Sequence, residues 1–124
     1  MKSIPIMTPD EAIRAHREWK KRFLVAMASR QPMNVAEIRS DRCCKFGKWL
    51  YGELSSRFAG LPDYKACVDA HARFHVEAGK VAELVNEGRI HDANLMLGHD
   101  TAYGKASEEL SVRVVAMFKA DPRG

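Results

Sequence analysis

Apolar residues recur along this chain at three- and four-residue intervals, the spacing of one face of an α-helix. From Thr8 to about Ser29-Arg30 the apolar positions are Ala12, Ala15, Trp19, Phe23 and Ala26-Met27, with His16 set among them. Thr8-Pro9-Asp10-Glu11 is a helix start: a hydroxyl to accept first-turn amides, a proline at the first helical position, and a glutamate to close a capping box. From about Asp63 to Asn86 the stripe reads Tyr64, Cys67-Val68, His71, Phe74-His75, Ala78, Val81-Ala82 and Val85, ended by Gly88. A third run, Ile90 to Ala120, carries Ala93, Met96-Leu97, Tyr103, Ala106, Leu110, Val114 and Met117-Phe118; Gly98 and Gly104 mark it for a kink. Asn34-Val-Ala-Glu37 predicts a short helical turn, and Ser40-Asp41 predicts an N-cap for a helix through Trp49-Leu50-Tyr51. Gly52 to Asp63 reads as a loop. No stretch alternates with period two. The expected fold is therefore all-α: an antiparallel four-helix bundle with a short additional helix or helical turn, one domain spanning residues 1–124.

Composition narrows the class. Forty-six per cent hydrophobic residues in a 124-residue chain exclude wholesale disorder and permit a real core. A net charge of +4 is too small to imply a nucleic-acid partner. The outer face of the first helix (Arg14, Arg17, Glu18, Lys21) carries no interleaved aromatics and reads as a solvated face. The longest apolar runs fall short of a membrane span, and the apolar run in the first seven residues is too short for a signal peptide. Three cysteines, an odd and low count, point to reduced thiols and a cytoplasmic setting rather than a disulfide framework.

The chemistry lies in four residues. His71 and His75, four apart, project from one helical face, close enough to share a metal. His16 sits on the inward stripe of another helix. If Asp41 caps its helix, Cys44 falls in the first turn, where free amides and the helix dipole favour a thiolate, with Arg42, Lys45 and Lys48 pushing the same way. Three imidazoles and a thiolate from three segments form a closed set suited to zinc. Such a set leaves no open position for water, so an enzyme is not expected. A di-iron oxygen-binding bundle needs carboxylates at ligand spacing; here Lys20 follows His16 by one turn and Gly79 follows His75. His91 and His99 read as exposed, Cys67 as a small core residue, and the methionines as packing.

His16-x-x-Trp19, Cys44-x-Phe46-Gly47-x-Trp49 and His71-x-x-x-His75, in that order, resemble the chemoreceptor zinc-binding domain family over about Glu11 to Met117. The resemblance implies a helical bundle, usually a homodimer, that holds Zn2+ through His16, Cys44, His71 and His75. Trp19, Phe46, Gly47 and Trp49 are its motif residues. It also implies a regulatory role in bacterial signalling beside a chemoreceptor or diguanylate cyclase output. Cys44 would be the group that senses oxidants of the hypochlorous acid type. A purely structural zinc stapling a dimerisation module is the alternative. The family's register selects Cys44 over Cys43, which is then expected to be a buried small residue. No output domain is evident in these residues, so the expectation is a solitary form acting on a partner or a part of a longer signalling protein.

Overall fold

A computed structural model describes residues 8–120 of the chain. They form seven helices: α1 (Pro9–Ser29), α2 (Val35–Arg39), α3 (Lys45–Tyr51), α4 (Glu53–Phe58), α5 (Pro62–Asn86), α6 (Ile90–Met96) and α7 (Ala102–Lys119). No strand occurs among the described residues. The expected all-α bundle holds, with more and shorter elements than the periodicity suggests. The three long helices α1, α5 and α7 pack on one another, and α2 lies along α5.

The long helices form where the apolar stripe is longest. Thr8 caps α1 as expected: its hydroxyl accepts from the Glu11 amide at 3.1 Å, and its own amide donates to the Glu11 carboxylate at 2.8 Å. The buried side of α1 is Ala12, His16, Phe23, Ala26 and Met27. α5 buries Cys67, Ala70, His71, Phe74, His75, Ala78, Gly79, Val81, Ala82 and Val85, almost the stripe read from the sequence. Phe23, Phe46, Phe58 and Phe74 are the largest side chains fully withdrawn from solvent. Burying each removes roughly 150–250 Å² from water, so these four rings dominate the core.

Three expectations fail locally. The stretch after Gly52 is not loop alone: α4 forms there because Leu54 and Phe58, four apart, both bury completely. The run from Ile90 to Ala120 is two helices. Thr101 breaks it: its hydroxyl receives the Gly104 amide at 3.1 Å, capping α7, and lies 2.6 Å from the Met96 carbonyl that ends α6. Gly98 sits inside that break. Finally, Asp41 caps nothing. The N-cap of α3 is Cys44 itself, whose sulfur accepts from the Gly47 amide at 3.2 Å.

Leu110, on the inner face of α7, is 1% exposed. Leu110→Ala should lower stability by about 2–5 kcal/mol, as for other leucine truncations in a core, with the helical far-UV signal kept. Chemical denaturation followed by circular dichroism checks this; a loss below about 1 kcal/mol would mean that α7 is not part of the cooperative core.

Candidate metal centre

Four side chains from three elements meet at the centre of the bundle. α1 supplies His16, the N-cap of α3 supplies Cys44, and α5 supplies His71 and His75. One donor atom from each lies within 4.8 Å of all the others, so the group could hold a metal ion. His71 Nε2 is 3.1 Å from His16 Nε2 and 3.1 Å from His75 Nε2. Cys44 Sγ is 3.8, 3.4 and 3.6 Å from the Nε2 atoms of His16, His71 and His75. A tetrahedral zinc with ordinary bond lengths sets its nitrogens about 3.3 Å apart and its sulfur about 3.6 Å from them. The donor spacing fits that ion without rearrangement.

The tautomers sharpen the point. His16 Nδ1 lies 2.8 Å from the Ala12 carbonyl, and His75 Nδ1 lies 2.8 Å from the Ile38 carbonyl. A carbonyl only accepts, so both Nδ1 atoms carry the hydrogen and both Nε2 atoms turn lone pairs inward. His71 Nδ1 is buried and has no partner among the described residues. Its ring is held by packing instead: Phe46 at 5.2 Å, His16 at 4.9 Å and His75 at 4.6 Å between centroids. The single N–H that His71 has to offer can answer at most one of the two inward lone pairs. A cation would answer every inward donor atom of the group at once. Backbone carbonyls behind ring nitrogens are also the usual second contacts of metal-binding histidines.

Burial sets the protonation states. His16, His71 and His75 are 4%, 0% and 1% exposed. Loss of hydration pushes His16 down to about 4 and His71 to about 2, the neighbouring imidazoles adding to the effect in both. Burial also lowers His75, opposed by the Ile38 carbonyl and the Asp41 carboxylate. All three are neutral near pH 7, the form that binds metal. The thiol departs from expectation. Burial raises Cys44, and the amides of Gly47 and Phe46 offset this only in part, while the Asp41 charge adds to it. Without a cation the helix start does not produce a thiolate. Of the nearby basic residues, Arg42 instead places its guanidinium 4.0 Å above the Tyr51 ring.

The motif residues surround the group. Phe46 is buried against His16 and His71. Trp49 lies between Phe46 and Phe118, at 6.2 and 5.7 Å between centroids. Trp19 is partly exposed under the Arg22 guanidinium, on the rim of a cleft of about 310 Å³ that reaches His16, Cys44 and His75. Gly47 makes the closest approach. A Cβ there would stand 1.9 Å from the Asp41 carbonyl oxygen and 3.2 Å from His71 Cε1. Cys43, expected to be buried, is exposed and outside the donor group, because the turn that aims Cys44 inward aims its neighbour outward. Cys67 is buried, and its thiol is pushed up to about 12 by burial. His91 and His99 are exposed, and no carboxylate joins the donor group among the described residues.

Sequence reasoning missed the Ala12 and Ile38 carbonyls, which no residue type announces. It also missed the Tyr51 hydroxyl, which donates to the Asp41 carboxylate and pins the turn before Cys44.

A profile of the chemoreceptor zinc-binding domain matches residues 16–82, just over half the chain, starting at His16 and including all four donor residues. The chain belongs to that family. Comparisons with curated proteins and with solved structures gave no match.

Two predictions follow from this geometry. Gly47→Ala should gain helix propensity yet lose stability, by about 1–3 kcal/mol, because the Asp41 backbone must move. Zinc binding should weaken about tenfold or more as Cys44 shifts with it; chelator competition reads this, and an unchanged affinity would show that the close approach is not needed.

The second concerns protons. Near pH 7, zinc uptake should release about one proton, that of Cys44, because the histidines have none to give. Calorimetry in buffers of different ionisation enthalpy counts it; two or more would contradict the neutral histidines. The same histidines make the metal-free fold acid-sensitive. Their folded values lie below the unfolded value of about 6.5, so their contribution is present above that pH and is lost as pH falls through the folded values.

Proposed function

We propose that this chain is a zinc-dependent regulatory domain of bacterial signal transduction, with His16, Cys44, His71 and His75 as the ligands of one Zn2+. The observation that supports it best is the convergence of four neutral-or-thiol donors, three of them buried, at zinc spacing. Bound there, zinc supplies a positive charge that holds Cys44 as thiolate and ties α1, α3 and α5 together. Four protein donors leave no site for an activated water, which favours regulation over hydrolysis. In this reading the domain works in the cytoplasm as a homodimer, linked to a chemoreceptor or diguanylate cyclase output. Consistent with this, no helix among the described residues is long and apolar enough to cross a membrane.

The signal is zinc occupancy, oxidation of Cys44, or both. Cys44 is half-buried and lines the cleft, so a small oxidant reaches it, whereas the histidines lie deeper. Hypochlorous acid and the thiolate give sulfenic acid and chloride, a two-electron oxidation that removes the anionic donor.

Hydrogen exchange with and without a chelator tests the zinc arm. Protection should rise around His16, residues 33–47 and His71–His75 on zinc loading, with helix content nearly constant. Identical profiles would overturn sensing by occupancy, and complete unfolding on chelation would make the zinc a structural staple. The oxidant arm is tested in a Cys43→Ser background with stoichiometric hypochlorous acid. A sulfenic-acid probe should label Cys44 as zinc is released; labelling confined to Cys67 would sink it.

A further inference from the structure

One face of α5 continues from the donor group into a clamp. His75, Gly79, Glu83 and Asn86 follow at intervals of four, four and three, so they share a stripe. Each of the last three engages the segment that carries the Ile38 carbonyl. The Asn86 side chain brackets Met33, accepting from its amide at 2.8 Å and donating to its carbonyl at 2.8 Å. Glu83 pairs with Arg39 at 2.7 Å. Gly79 lies directly under Arg39: a Cβ there would stand 3.0 Å from Arg39 Cβ and 3.4 Å from its Cα. The segment so held is α2, whose Ile38 carbonyl receives the Nδ1 hydrogen of His75.

α2 has five residues, too few for a helix that stands alone. Ile38 is its one buried side chain. The Arg39–Glu83 pair is about half exposed on both sides and therefore a weak link. α2 packs closely along α5, but it is too short to hold its helix alone, so its position is set by this docking and not by its own stability. Yet it holds the hydrogen bond that fixes the His75 ring. We infer that Gly79, Glu83 and Asn86 are positioning residues for His75, and that docking of residues 33–39 on α5 is coupled to zinc occupancy through the His75–Ile38 hydrogen bond. Coupling of this kind is reciprocal. Whatever α2 docking adds to zinc affinity, zinc adds to α2 docking, so α2 is where occupancy becomes a change at the surface. This rests on the zinc reading above.

The test uses the whole chain and the variant Asn86→Ala. Zinc affinity, measured by chelator competition, should fall about tenfold, the low end for partners behind a metal ligand. Residues 33–39 of the zinc-loaded variant should exchange as fast as those of the metal-free wild type. In the metal-free variant, the 15N spectrum of His75 should lose the fixed Nδ1–H tautomer. Glu83→Gln, at an exposed site that does not endanger folding, should shift the same readouts in the same direction by about two- to threefold. Leu110→Ala is the control: it loses stability in α7, and its zinc affinity should stay within about twofold of wild type.

The coupling is overturned if wild type binds zinc and Asn86→Ala binds it equally well. It is also overturned if Leu110→Ala weakens zinc as much as Asn86→Ala does, since the effect is then general destabilisation. A wild-type chain that takes up no zinc fails the zinc reading itself, a result distinct from both.

Discussion

The structure turns on three imidazole nitrogens facing one another out of water. His71 Nε2 sits 3.1 Å from two other ring nitrogens whose hydrogens are committed to backbone carbonyls on their far sides. His71 can donate from Nε2 to one of them and the Cys44 thiol to the other, but the buried His71 Nδ1 then has no partner, and an unsatisfied buried polar atom costs about 1–3 kcal/mol. Phe46 and Phe74 pack at right angles to the His16 ring, and the cleft reaches the group on the Cys44 side. Without a metal, the inward lone pairs depend on one imidazole N–H and one thiol proton, a task that a cation held by all four donors would take over. If the group holds a metal, metal affinity and fold stability become two readings of the same arrangement.

The four donors are not equivalent in their support. His16, His71 and His75 stand on the two helices with the longest apolar stripes, each nearly free of solvent. Cys44 stands at the N-cap of a seven-residue helix, half-buried, beside a turn held by the Tyr51–Asp41 contact. Its sulfur has two tasks, facing the imidazoles and receiving the Gly47 amide. Any change at sulfur consequently alters a helix cap as well as a donor. The group is thus built from two long buried helices and one short capped turn.

Long-range features were legible in the sequence because they repeat. The stripes of α1 and α5, the His71–His75 interval and the inward register of His16 all follow from helical period, and together they place three donors. What failed was local and non-periodic. The α6–α7 break depends on one hydroxyl, Thr101, bonding in two directions. α4 depends on two residues, too few to show a period. The Cys44 error is instructive in another way. A helix N-terminus and three basic residues argue for a thiolate, but burial outweighs the amides, and one guanidinium is engaged with Tyr51 instead. Charge near in sequence was read as charge near in space.

The two glycines beside the centre show what a ligand pattern leaves out. In helical segments Gly47 and Gly79 count only as costs to helix propensity. In the fold each lies where another segment crosses at backbone distance: Asp41 over Gly47, Arg39 over Gly79. The first crossing sets the turn that leads into Cys44, and the second brings up the strap that fixes His75. Donors drawn from separate segments must be brought to within about 4 Å of one another, and side-chain bulk at either crossing would hold those segments apart. The candidate donors are three histidines and a cysteine. The distance between them is set by two positions that carry no side chain at all.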